Sequence, residues 1–102
     1  MKRGEVYWVN LDPTVGSEVK KRRPAVILSP DEMNRSLKVV IVAPITSSQR
    51  QWPTRVEVTL DGKTGQIMLD QIRTVDKSRL IKRIAEVNIA EALDALQVMF
   101  AS

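Results

Sequence analysis

A chain of 102 residues, 43% hydrophobic and 27% charged, is expected to form one small globular domain, with no room for a second and with extensive disorder excluded. It has no cysteine and no histidine, which excludes disulfide frameworks, thiolate metal sites, a cysteine nucleophile and the usual neutral-pH proton shuttle. All sixteen basic groups and nine of the twelve acids fall in residues 1–85, a net of +7, while residues 86–102 carry −3. That division suits a polyanion partner for the body of the chain, or else an ordinary solubilising surface.

Residues 5–11, Glu-Val-Tyr-Trp-Val-Asn-Leu, are rich in β-branched and aromatic side chains and predict a first strand, with Trp8 in the core. A polar stretch with Gly16, Ser17 and Glu18 follows and ends in Lys20-Lys21-Arg22-Arg23. A connection of that length is usually functional or disordered. Pro24 to Ser29 predicts a second strand, with proline at its tolerated first position. Ser29-Pro30-Asp31-Glu32 reads as a capped start of a short helix ending by Arg35. Leu37 to Ala43 is a near-continuous apolar run, a central strand closing with Pro44-Ile45-Thr46. Ser47 to Pro53 is a polar loop carrying Arg50 and Trp52. Val56, Val58 and Leu60 alternate with polar residues, Asp61-Gly62-Lys63 turns the chain, and Gly65 to Ile72 predicts a fifth strand. Leu80 to Val87 fits a last strand or a helix. Asn88-Ile89-Ala90-Glu91 is a capping box, after which Ile89, Leu93, Leu96 and Phe100 form one helical face. The expected fold class is mainly β with α: a small barrel of bent antiparallel sheet with a C-terminal packing helix. No apolar run approaches the roughly 20 residues of a membrane span and no secretory signal opens the chain, so a cytoplasmic location and no membrane partner are expected.

Without histidine or thiolate, hydrolytic chemistry must use carboxylates, hydroxyls, amides and guanidinium or ammonium groups; no acidic cluster recommends a metal. RNA scission fits these means, because the 2′-hydroxyl of the substrate can attack its own phosphate. The protein must then take a proton, stabilise the phosphorane and help the 5′-oxygen leave. A guanidinium suits the second task. Arg23, held extended by Pro24, is the candidate for it, unless it is only the last of a solvated basic run. Thr46 and Ser47 offer hydroxyls at a strand end, where threonine also commonly satisfies a nearby backbone group. Asp70 and Glu18 are candidate bases, although Asp70 could instead pair with Arg73. If the strand is regular, Asp70 and Gln71 point to opposite faces. Trp52 beside Arg50, and Trp8 beside Tyr7, could stack on an unpaired base, Trp8 being the one of the two that its strand favours as core.

Five ordered blocks resemble the MazF/PemK/Kid toxins. They are Arg3-Gly4-Glu5-Val6-Tyr7-Trp8-Val9, Leu11-Asp12-Pro13-Thr14-Val15-Gly16-Ser17-Glu18, Arg23-Pro24-Ala25-Val26-Ile27, Val42-Ala43-Pro44-Ile45-Thr46-Ser47 and Leu69-Asp70-Gln71-Ile72-Arg73-Thr74. The resemblance implies an SH3-like barrel with a C-terminal helix, and a homodimer binding single-stranded RNA, chiefly mRNA, in a groove at the subunit interface. It also implies sequence-specific cleavage to 2′,3′-cyclic phosphate and 5′-hydroxyl ends without a cofactor, and a cognate antitoxin with a disordered acidic C-terminal segment. The catalytic arginine and threonine of similar members fall on Arg23 and Thr46, an essential loop glutamate on Glu18, and a shared aspartate on Asp70. Kid-like members have a histidine at the place of Ser17 and an arginine at that of Met68, so a His-Arg-Asp mechanism does not carry over whole. The RNA-binding set expected around the centre is Ser17, Lys20, Lys21, Arg22, Ser47, Arg50, Trp52, Gln71 and Arg73. The alternatives are a gyrase poison of the CcdB kind, which shares the barrel, and a non-catalytic RNA-binding module.

Overall fold

The computed structural model describes residues 1–12 and 21–101. Seven strands and two helices follow in chain order among these residues: β1 (Glu5–Asn10), β2 (Arg22–Ile27), α1 (Asp31–Ser36), β3 (Val39–Thr46), β4 (Arg55–Leu60), β5 (Lys63–Met68), β6 (Arg73–Asp76), β7 (Leu80–Glu86) and α2 (Ala90–Phe100). The pairings are antiparallel, in the order β4-β5-β3-β2-β1-β7, with β6 added on β3. The sheet curls into a half-barrel with the C-terminal helix packed on it, as the sequence predicts.

β3 is the strand on which the curl turns. Val39–Val42 pair with β6, and Ile45–Thr46 pair with β5. Between these pairings stands Pro44, which has no N–H to give a ladder, so a proline inside a central strand falls where the partner changes. Both faces of the β1-β2-β3 sheet are covered. Val6, Val26 and Ala43 belong to one cluster with Ala92 of α2, while Val9, Ala25, Ile27, Val40, Val42 and Val75 form a second. Burial on both faces is why β3 reads as an unbroken apolar run rather than an alternation. Leu11, Ile27, Ile67 and Leu69 are fully buried, each stabilising the fold by roughly 1.5–3 kcal/mol.

Several expectations shift. β2 begins at Arg22, two residues before the predicted start, so Arg22 and Arg23 lie within the strand, paired with Asn10 and Val9. Ser29 does not cap α1. Pro30 holds the N-cap position without a side-chain hydrogen bond, while the buried Ser29 hydroxyl bridges Asn34 Oδ1 and the Ile41 N–H. The predicted fifth strand stops at Met68. Leu69–Gln71 form a 3-10 turn, and the chain then re-enters the sheet as β6, which the sequence reading did not separate. Residues 80–86 are a strand rather than a helix. Ile89 takes the N-cap position of α2, and Asn88 Oδ1 accepts from the Ala90 N–H. Phe100 is 75% exposed; Met99 packs on the core with Leu93 and Leu96 instead.

Candidate active site

Three pieces of chain meet at a cleft of about 420 Å3: the β1–β2 side with Trp8, Lys21, Arg22, Arg23 and Pro24, the end of β3, and the β4–β5 hairpin. The hairpin turns through Asp61 and Gly62, both at positive φ, the two-residue geometry whose twist matches the strands it joins. It brings Leu60, Lys63, Thr64 and Gly65 to the cleft wall. Gly65 permits the close approach of β5 to β3: a Cβ there would stand 3.0 Å from Thr46 O and 3.2 Å from Ile45 Cγ2.

Lys21, Arg22, Arg23 and Lys63 line this cleft, and no carboxylate does so among the described residues. Such a wall favours a polyanion. Lys21 has a left-handed backbone (φ 71°), uncommon for a residue with a side chain. Its N–H donates to Asp12 Oδ1 at 2.9 Å, and its carbonyl accepts from the Leu11 N–H at 3.1 Å. From behind, Arg73 Nη1 donates to Leu11 O at 3.1 Å, and Arg79 Nη1 donates to the carbonyls of Asn10 and Asp12. Two guanidiniums thus brace the backbone just before residues 13–20.

Arg23 is half-buried, and its Nε has no hydrogen-bond partner among the described residues although the atom is shut off from solvent. Leaving such a donor unmet costs about 1–3 kcal/mol, more when the group is charged. The Thr46 hydroxyl, 8% exposed, accepts from the Ser48 N–H at 3.2 Å. That bond turns the chain at the strand end, the structural role common for threonine, and leaves the O–H hydrogen free to donate elsewhere.

The cleft brings together five predicted residues: Lys21, Arg22, Arg23, Thr46 and Ser47. Ser17, Glu18 and Lys20 lie outside the described residues. The others stand apart from the lining. Asp70 and Gln71 lie in the 3-10 turn, not on a strand with alternating faces. The Asp70 carboxylate takes Arg55 Nε at 3.1 Å, so Arg55 has the place expected for Arg73, which is committed to Leu11 O. Trp52 is 50% exposed, with the Arg55 guanidinium 4.7 Å and that of Arg50 5.8 Å from its ring centre. Trp8, predicted as core, is 37% exposed and lines the cleft opposite Pro24 in the β1–β2 register. Lys63, Thr64 and Gly65 carry no site role in the sequence, because only the pairing of β5 with β3 brings the hairpin to the cleft.

The carboxyls of Glu5 and Asp76 are both held low, and neither lines the cleft. Among the described residues no group of three or more acidic side chains is placed to hold a metal ion, and no helix is long and apolar enough to cross a membrane.

Residues 2–100 match the family described as PemK-like, MazF-like toxin of type II toxin-antitoxin system. Endoribonuclease EndoA of Bacillus subtilis is 36% identical over 110 residues, covering 99% of this chain and 95% of that protein. The crystal structure of MazF from Deinococcus radiodurans superposes with a TM-score of 0.87 at 29% identity, covering 100% of this chain and 97% of that one. A mycobacterial endoribonuclease in complex with its cognate antitoxin follows at a TM-score of 0.81 and 26% identity, over 96% and 92% of the two chains. The basic cleft between the β1–β2 side and the β4–β5 hairpin is therefore built on a fold and a sequence that agree, and the chain belongs to the PemK-like, MazF-like toxin family of type II toxin-antitoxin systems.

Proposed function

We propose that this chain is a toxin that cleaves single-stranded RNA, chiefly mRNA, at preferred sequences and without a metal ion, so inhibiting translation and growth. The observation that carries the reading is the buried Nε of Arg23, without a partner among the described residues, in a cleft whose described lining holds three other cations and no carboxylate. A phosphate oxygen would supply the missing acceptor. The 2′-oxygen attacks the adjacent phosphorus as its proton passes to a base. The P–O5′ bond then breaks and the 5′-oxygen takes up a proton, leaving a 2′,3′-cyclic phosphate and a 5′-hydroxyl. Arg23 stabilises the charge-rich phosphorane, and the Thr46 hydroxyl assists by donating to it. Arginine's very high pKa makes it a poor base, so its part is electrostatic.

Of the two carboxylates considered for the base, Asp70 is engaged with Arg55, which favours Glu18. Lys21, Arg22, Lys63 and Ser47 meet flanking phosphates, a role also proposed for Ser17 and Lys20, and Trp8 and Trp52 offer ring faces to unpaired bases. The partners are a cognate antitoxin, whose acidic, disordered C-terminal segment would be drawn to the same cations, and a second copy of the chain. The exposed Ile81, Ile84, Val98 and Phe100 support the second copy, because they are apolar surface left uncovered in the monomer. A gyrase-poison reading has no observation in its favour.

The test is incubation of purified protein with a long RNA in EDTA, followed by mapping of the ends. Discrete cleavage with cyclic-phosphate termini is expected. Uncut RNA, or cleavage abolished by the chelator, refutes the reading.

A further inference from the structure

Gln66 takes no part in the chemistry above, yet its side chain makes an unusual pair of bonds. It is 8% exposed and stands opposite Thr46 in the β3–β5 register. Its Oε1 accepts from the Arg50 N–H at 3.0 Å, and its Nε2 donates to Arg50 O at 2.9 Å. One side-chain amide thereby satisfies both backbone groups of a loop residue, as a neighbouring strand would. The loop from Ser47 to Pro53 is pinned at its midpoint to the strand that also pairs with Thr46. Further hydrogen bonds of this loop are local: Ser48 N–H to Thr46 Oγ1, Gln49 Nε2 to Ser47 O, Arg50 Nη1 to Gln49 O and Arg55 N–H to Trp52 O.

From its far end the loop is steadied by the ring contact of Trp52 with Arg55, which Asp70 holds in turn. The pinned segment therefore joins a cleft residue, Ser47, to a half-exposed aromatic ring flanked by two guanidiniums. Only a side chain with a donor and an acceptor, at glutamine's length, can hold both Arg50 groups.

We infer that Gln66 is a positioning residue for substrate selectivity: by clamping the Arg50 backbone it pre-orders loop 47–53, and with it the Trp52 ring, as a platform for an unpaired nucleobase next to the cleft. The inference rests on the ribonuclease reading proposed above. A pre-ordered platform spends less binding energy on ordering and discriminates better between bases. Its loss therefore weakens preferred RNAs more than others and leaves the bond-breaking step largely intact.

The experiment compares wild type with Gln66→Leu, Gln66→Glu and Gln66→Asn on two short RNAs, one bearing the mapped preferred site and one with a single base changed beside it. Gln66→Leu removes both bonds; Gln66→Glu keeps the acceptor and turns a carboxylate oxygen toward Arg50 O. Both are expected to narrow the kcat/KM ratio between the two RNAs by about tenfold, through KM, with kcat within about threefold. Gln66→Asn keeps both groups but one methylene short of Arg50, and is expected to narrow the ratio as Gln66→Leu does. Amide exchange at Arg50 should speed up in the Leu variant, and Trp52→Ala should narrow the ratio as Gln66→Leu does. A preserved ratio in a folded Leu or Glu variant overturns the inference, as does a fall in kcat with KM unchanged. A wild-type protein that cuts neither RNA instead refutes the ribonuclease reading itself, an outcome distinct from the first.

Discussion

Asp70 holds Arg55 by a 3.1 Å contact between Oδ1 and Nε, with the Arg55 side chain only 9% exposed. The same guanidinium lies 4.7 Å from the ring centre of Trp52. The aspartate thus supports an aromatic platform through an arginine. Asp70→Asn is expected to leave the rate at saturating RNA within about threefold of wild type, because general-base removal is what costs on the order of 100-fold or more. Its effect should fall on KM. A single-turnover series separates these, and a 100-fold loss of rate would return Asp70 to the role of base.

Arg23→Ala should lower kcat by about 100- to 1000-fold, the range found when one transition-state donor is removed. Arg23→Lys should recover little, since an ammonium lacks the planar fork. Both variants should unfold at a denaturant midpoint no lower than wild type, because the Arg23 Nε has no partner among the described residues. Chemical denaturation beside end-point cleavage checks both parts.

Lys63 was not singled out in the sequence, yet it lines the cleft. If it meets an RNA phosphate, Lys63→Ala should reduce the salt dependence of RNA binding by one contact, a change of about 0.7 in the log–log slope for a single strand. Binding measured on the Arg23→Ala background, where RNA survives, gives the slope. An unchanged slope would remove Lys63 from the RNA path.

Gly65→Ala tests the packing beneath Thr46. The added Cβ would lie 3.0 Å from Thr46 O, a backbone atom held in the β3–β5 ladder and unable to swing aside. The expected cost is about 1–3 kcal/mol of stability by overpacking, with cleavage lowered as Thr46 is displaced. Equilibrium unfolding and kcat on the same preparation measure the two effects.

Glu5 makes stability depend on acid. Burial pushes its carboxyl up, but the Lys2 N–H bond, the Arg83 hydrogen bond and the Arg83 charge together outweigh that and hold it below the ordinary carboxylate value of 4.5. A depressed pKa means the folded state keeps its proton off longer than the unfolded chain. The contribution is therefore complete above about pH 4.5 and lost as pH falls through the folded value. Arg83 is half-exposed, so screening keeps the effect small. Unfolding midpoints taken from pH 6 down to pH 3 should decline less steeply in Glu5→Gln than in wild type.

What the sequence determined by itself were the features with a local cause. β-Branched and aromatic content marked β1, an unbroken apolar run marked β3, apolar periodicity marked β4 and α2, and Asp61-Gly62 marked the hairpin because few residue pairs accept two positive φ values in succession. The missing histidine made a guanidinium-centred site the workable metal-free chemistry, and the resemblance carried by the Arg23-Pro24 and Pro44-Ile45-Thr46 segments pointed to Arg23 and Thr46 as its candidates. Tertiary structure decided everything that rests on pairing between distant segments. The register Trp8↔Pro24 turned a presumed core aromatic into a cleft residue, and Gly65 brought the hairpin with Lys63 against Thr46. The 3-10 turn after Met68 removed Asp70 from a strand and gave it to Arg55. Gln66, unremarkable in the chain, became the clamp on Arg50 because a side chain's partners follow from register and burial, which no local pattern encodes.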